Sequence, residues 1–184
     1  MALARRDLDY LESVLEELSR AETEQDFLDI RGELRDAGFL RRQGKKEQNR
    51  PAKPLEFRTT SGFRVLVGRN NRQNDKPTRS ADHRGSGSHT QQIHAQKSHG
   101  SHVILCTGGR EVDDDTIVEA AKLAACFSQA REGANVPVDY TPVKNVKKPA
   151  GARPGMVIYS TCRTVNVAPE EGLVKKLQKK KKSC

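Results

Sequence analysis

Apolar residues recur along this chain with two periods, and the change from one to the other divides it. Leu8, Leu11, Leu15 and Leu18 fall at three- and four-residue steps with Val14 beside them, and Asp, Glu and Arg fill the positions between. That spacing predicts an amphipathic helix from about Arg5 to Arg20. A second helix follows: Thr23 is an N-cap with Asp26 three residues on, Phe27, Ile30 and Leu34 carry the stripe forward, and Gly38 supplies the stop. Two helices this short do not bury their apolar faces against each other alone. They read as the end of a longer coiled coil, in preference to a hairpin packed on the rest of the chain.

From Leu55 the period becomes two. Leu55 and Phe57, the turn Thr60-Ser61-Gly62, and then Phe63, Val65 and Val67 predict a β-hairpin. Val103 to Cys106 is a short apolar strand ended by Gly108-Gly109. Asp113-Asp114-Asp115-Thr116 opens a helix whose Ile117, Ala120, Ala121, Leu123, Ala124 and Phe127 make a small-residue face able to lie close on a sheet. Val136 to Tyr140 is a further strand, Met156–Tyr159 and Thr164–Val167 read as a closing hairpin, and a short helix precedes a basic tail. The predicted fold is α+β, a mostly antiparallel sheet with one main packed helix at 55–172. The helical pair (1–40) and a basic, Gly- and Pro-containing linker (41–54) come first, and the tail occupies 173–184.

Charge sharpens this division. Residues 1–43 carry seven Lys/Arg against eleven Asp/Glu, a net of −4, while the remainder carries a net of +13. A basic domain of this kind is expected to meet a polyanion. Four widely spaced cysteines with no CxxC pair argue against a zinc ribbon or disulfide scaffold, and Cys106 and Cys126 read as buried small apolar residues. No stretch approaches the ~18 apolar residues of a membrane span, and no signal-like apolar segment opens the chain. A cytoplasmic protein with no membrane partner is expected.

The candidate chemistry sits in Gly68–Val103, a polar stretch that holds all five histidines and reads as a loop region mounted on the sheet. Irregular histidine spacing without a helical HExxH argues against a metal centre, and Cys106 lacks an orienting partner for nucleophilic chemistry. No phosphate-loop glycine spacing is present, so neither catalysis nor a cofactor is expected. Arg, Asn, Gln, His and Ser crowded between strands, with Lys144, Lys147, Lys148 and Arg153 in a second basic loop, are what a phosphate- and sugar-binding surface needs. With aromatic residues at 4% and no Trp, recognition of folded RNA by shape and backbone is favoured over stacking of splayed bases.

At these residues the chain resembles the NFACT-R domain, the C-terminal RNA-binding module of the RqcH / NEMF family, also known as fibronectin-binding proteins in bacteria. The matching pieces are GFRVLVGRNNRQND (Gly62 to Asp75), HGSHVIL (His99 to Leu105), TIVEAAKLAACFSQAR (Thr116 to Arg131) and VDYTPVKNVKKPAGARPGMVIY (Val138 to Tyr159). The first two helices resemble the end of the family's coiled-coil region, so the chain is expected to be a C-terminal fragment. The resemblance implies a non-catalytic part of ribosome-associated quality control that binds large-subunit RNA and tRNA at stalled peptidyl-tRNA and supports alanine tailing. A ribosomal-protein contact through the helices would accompany it. Residues it puts forward for RNA contact are Arg69, Asn70, Arg72, Asn74, Asp75, His99, Ser101 and His102, to which the basic character adds Lys144, Lys147, Lys148 and Arg153. The alternative is a protein-binding module, either an adhesin for fibronectin or a docking element. One segment, 85–98, departs from the family and reads as spliced or engineered. Gly85-Ser86-Gly87-Ser88 replaces an Asp-Trp-apolar pattern, Pro77 replaces a Leu, and HTQQI and HAQKS look like tandem copies of one pentad, one of them expected to loop out.

Overall fold

The computed structural model describes residues 2–41, 51–75 and 90–178. Six strands form one antiparallel sheet in the order β1 (Leu55–Arg58), β2 (Arg64–Val67), β4 (Val103–Cys106), β3 (Thr90–Ala95), β5 (Val136–Pro142) and β8 (Arg163–Val167). The period-two apolar residues set its register: Phe57 lies opposite Val65, and Val65 opposite Leu105. One sheet face is therefore continuous hydrocarbon, built from Phe57, Val65, Val67, Ile93, Val103, Leu105 and Val138.

Helix α3 (Asp114–Cys126) covers that face. Asp113 caps it, its side chain accepting from the Thr116 amide. Ala120, Ala121, Leu123 and Ala124 are wholly buried, and their small size lets the helix lie close on the sheet, as the alanine spacing anticipates. The helix links β4 to β5 across the intervening β3. Helix α4 (Glu171–Leu177) closes one end of the core with Leu173 and Leu177. Cys106 and Cys126, expected to be buried, are half-buried at the margins.

Three sequence expectations are corrected here. First, 90–95 is not loop, and the described residues of the two tandem pentads run on continuously as strand and turn. Thr90–Ala95 runs through the middle of the sheet, pairing Gln91–Ala95 with β5 and Thr90–Ile93 with β4, and Gln96–Ser98 form the turn into β4. Thr90, Gln92, Ile93 and Ala95 are buried, and the Gln92 amide lies 3.3 Å from His102 Nδ1, so a polar side chain is accommodated in an interior strand. Gly85–Ser88 and Pro77 lie outside the described residues. Second, Met156–Tyr159 and Thr164–Val167 do not pair with each other. Strand β7 (Ile158–Tyr159) joins β6 (Val146–Lys147) in a small ribbon, while β8 adds to β5. Asp139 on β5 organises both partners, accepting from Tyr159 Oη and Thr164 Oγ1, each at 2.7 Å.

Third, the two helices, α1 (Ala2–Ser19) and α2 (Glu24–Asp36), form a hairpin packed on the domain. The capping box at Thr23 and Asp26 is present, and Gly38 ends the helix with φ +87°. Three of the four leucines, however, face outward, Leu8 being 56% exposed and Leu15 64%, while Leu11 packs against the Tyr10 cluster. The buried stripe is Tyr10, Val14 and Glu17, set against Ile30 and Glu33. An acidic hairpin beside a basic domain gains more from turning its polar face inward, where carboxylates meet Arg side chains, than from burying the leucines against a mostly polar surface.

Candidate nucleic-acid interface

Most of the polar stretch after β2 points inward. Residues 71–75 form a helical turn, and its side chains cement loops together. Asn70 Oδ1 accepts from the Gln73 amide at 2.9 Å, and Gln73 Nε2 donates to Ala52 O at 2.8 Å. Asn74 Oδ1 accepts from the His102 amide at 3.0 Å, and His102 Nδ1 lies 3.1 Å from Asn74 O. Ser101 Oγ donates to Gly68 O at 2.5 Å. Gly68 permits this close approach, since a Cβ there would stand 2.2 Å from Asn74 Oδ1. Asn70, Asn74, Ser101 and His102 are all buried. Their polar groups are thereby engaged within the fold: hydrogen-bonding residues suited to RNA are equally suited to satisfying buried backbone.

Several arginines put forward for the interface pair with the hairpin. Arg69 pairs with Asp26 at 3.2 Å, and Arg72 pairs with Asp36 and donates to Gly32 O. Arg153 sends two N–H groups to Asp7 Oδ1 at 2.7 and 3.2 Å and a third to Ala37 O at 3.0 Å, with its guanidinium near the rings of Tyr10 and Phe39. His99 lies 3.5 Å from Glu12, and Asp75 binds Lys148 and the Gly155 amide. Arg20 and Arg131, which the sequence reading passed over, converge on Glu16. Arg20 stands four residues from Glu16 on α1, a local helical spacing, whereas Arg131 lies 115 residues away and no local pattern marks it.

Behind these pairs lies a buried polar cluster. Glu33 accepts from Tyr10 Oη at 2.8 Å and from Asn71 Nδ2 at 3.1 Å, with the Arg72 amide at 3.3 Å. Burial still pushes its carboxyl above the usual carboxylate range, and raises Glu17 well above it, where the Glu33 charge adds to the effect. Tyr10 is pushed far up by burial and by Glu33, so its hydroxyl remains a donor.

What faces outward is the β6–β7 ribbon and the 3-10 turn (Val143–Asn145) before it. Lys144, Lys147 and Lys148 are exposed, and Lys147 stands opposite Ile158, itself 57% exposed. Lys144 and Lys147 make no ion pair among the described residues. Cations beside an apolar tip form a surface that can neutralise phosphates and pack on a sugar or base edge.

Next to the ribbon opens a cleft of about 370 Å³, lined by Tyr10, Gln92, His94, Lys97, His102 and Tyr159 among others. His94 and His102 meet edge to face, 5.1 Å between ring centroids. Desolvation pushes His94 down to about 3, with the neighbouring His102 adding to the effect, and His102 down to about 4. Both are neutral imidazoles at physiological pH. His102 Nδ1 lies 3.1 Å from the Asn74 carbonyl and 3.3 Å from Gln92 Nε2, so that ring nitrogen is engaged within the fold. Among the described residues no group of three or more His, Cys, Asp or Glu could hold a metal ion, and no helix there is long and apolar enough to cross a membrane. His83 and His89 lie outside the described residues.

The architecture is that of an α+β domain with an antiparallel sheet, a packed helix and an exposed basic ribbon. By sequence, residues 53–160 match the family described as the NFACT protein RNA binding domain, and the chain belongs to that family. It is 41% identical over 183 residues to the Rqc2 homolog RqcH of Bacillus subtilis (strain 168), covering 96% of this chain and 30% of that protein. It is 36% identical over 173 residues to the RqcH of Streptococcus suis (strain 05ZYH33), covering 92% and 30%. The chain thus spans about a third of the length of these relatives. Among solved structures, the C-terminal part of the fibronectin/fibrinogen-binding protein from Streptococcus suis superposes with a TM-score of 0.85 at 34% identity, covering 95% of this chain and 69% of that one.

Proposed function

We propose that this chain is an RNA-docking module of a ribosome-associated quality-control factor, and that it meets large-subunit RNA and tRNA through the Lys144–Lys148 segment. The observation that carries this is the exposed, apolar-tipped basic ribbon on a domain whose family is defined by RNA binding. Lys144 and Lys147 are the principal phosphate contacts; Lys148 joins them when RNA displaces Asp75. The arginines at 69, 72 and 153 act indirectly, by holding the hairpin in place. In the whole factor, this docking would support tailing of the stalled nascent chain.

The test is binding to tRNA and to large ribosomal subunits across a salt series. Each phosphate contact contributes a slope of about −0.7 to −0.9 in log K against log [salt], so three contacts give a 20- to 50-fold loss, roughly, between 50 and 200 mM salt. Lys144→Ala with Lys147→Ala is expected to reduce that loss to roughly threefold with thermal stability unchanged. A salt-independent affinity would sink the proposal.

A second reading rests on the outward leucine row of α1, Leu8, Leu15 and Leu18, which is suited to another helix. It adds a protein contact and extends to the fibronectin or fibrinogen binding for which the solved relative is named. Capture of a ribosomal protein or fibronectin that survives nuclease treatment, and is lost in Leu8→Ser with Leu15→Ser, would favour it over RNA docking.

A further inference from the structure

The cleft beside the ribbon has features that the phosphate-docking surface does not use. Its volume of about 370 Å³ falls within the ~300–1,000 Å³ of small-ligand sites. Its buried lining is polar, with Gln92 and His102 3% exposed and His94 half-buried, while its one carboxylate among the described residues, Asp9, is exposed. Tyr159 and Met156 supply flat and apolar wall. A buried neutral lining with imidazole and amide groups disfavours an anion or a cation and suits a neutral heterocycle with its own donors and acceptors.

Two exposed side chains of opposite charge line the cleft, Asp9 and Lys97, and Lys97 is the one that suits a phosphate. Lys97 lines the cleft from the β3–β4 turn and is exposed. It is also the one non-glycine residue with positive φ, 52°, among the described residues. Gly or Asn adopts that conformation at less cost. A long cationic side chain kept on a strained backbone position at a cleft mouth points to use.

We infer that this cleft binds a single nucleotide, with the base against Gln92, His94 and His102 and the phosphate at Lys97. The ligand chemistry has two sources, an unstacked nucleotide of a bound RNA and a free nucleoside monophosphate. The RNA source rests on the function proposed above. Seating one splayed base would give the docked RNA a fixed register that contacts to phosphates alone do not impose.

The experiment follows the imidazole and backbone NMR signals of the 184-residue chain titrated with AMP and UMP, with ribose 5-phosphate, and with a short oligoribonucleotide and its abasic counterpart. Saturable shifts at His94, His102 and Lys97 are expected with the nucleotides and the base-bearing oligomer, and none with ribose 5-phosphate. Lys97→Gly relieves the backbone strain, so its melting temperature should equal or exceed that of the parent, while nucleotide affinity falls about tenfold and Lys97→Arg retains it. Salt-dependent oligomer binding that leaves His94 and His102 unmoved overturns the cleft and leaves RNA docking standing. Saturation by AMP or UMP without oligomer binding supports the cleft as a free-nucleotide site and overturns RNA docking. Failure of both ligands overturns both.

Discussion

Replacing Arg153 by Ala separates two roles that basic residues play here. The guanidinium contacts Asp7 Oδ1 with two N–H groups, Ala37 O with another, and the rings of Tyr10 and Phe39 at 5.6 and 5.2 Å. The Asp7 pair is about a third exposed on both sides, so screening leaves it roughly 0.5–1 kcal/mol. The bond to the carbonyl adds about 1 kcal/mol, and the two ring contacts together about 1 kcal/mol. Since these share one side chain and are not additive, a total of roughly 2–3 kcal/mol is expected, or about 5–10 °C in melting temperature for a chain this size. Lys at this position keeps the charge but loses the planar fork, and should recover less than half. The assay pairs thermal unfolding with the salt dependence of RNA binding at a temperature where every variant is folded. Arg153→Ala should lower the melting temperature and leave the salt slope alone, the reverse of Lys144→Ala with Lys147→Ala. A slope reduced by about one with unchanged stability would show that Arg153 touches phosphate and that the hairpin contacts are incidental.

Three further outcomes follow from the buried polar groups. Asn74→Ala leaves the buried His102 amide unpaired and should cost roughly 2–3 kcal/mol by denaturant titration, with Asn74→Asp milder and RNA affinity of the folded protein unchanged; weakened RNA binding at intact stability would contradict the burial argument. Gly155→Ala forces a Cβ to within 2.2 Å of Asn71 Oδ1 at φ +80°, and should lower the melting temperature by 5 °C or more, roughly; an unchanged value would count against the hub around Asn71. Protonation should act oppositely on the two halves. His94 and His102, with folded values lowered to about 3 and about 4, contribute stability that is full above the unfolded 6.5 and lost as pH falls, roughly 4 kcal/mol for the pair at pH 5. Glu17 and Glu33, with raised values, contribute stability present below the unfolded 4.5 and lost as pH rises through their folded values. Amide exchange measured from pH 7.5 to 5 should therefore show β3 and β4 losing protection while α1 and α2 gain it, and a uniform response would refute the assignment.

Much of the frame was legible because it is local. The capping box at Thr23, the Asp113 cap and the alanine face of α3 are relations among residues three or four apart, and each is present as the spacing implies. The Leu55–Val67 hairpin and the motifs from Gly62 to Tyr159 were equally plain, and the latter lie wholly within the 53–160 family match. The candidate site was legible only in part. Its lysines could be named, but nothing near Asn70, Asn74 or Ser101 in the chain distinguishes a residue offered to RNA from one that satisfies a buried carbonyl.

By itself, the sequence determined most of the helices and strands, though not Thr90–Ala95 or Val146–Lys147, which face of the sheet is apolar, and that acidic helices precede a basic domain. Only the tertiary structure decided which face of α1 turns inward, that Thr90–Ala95 lies between β4 and β5, and which cations remain available. Those outcomes rest on partners far apart in the chain, such as Arg153 with Asp7 across 146 residues and His102 with Asn74 across 28. Local periodicity reports which residues share a face; whether that face meets solvent, an opposite charge or a neighbouring strand is set by what the whole fold brings against it.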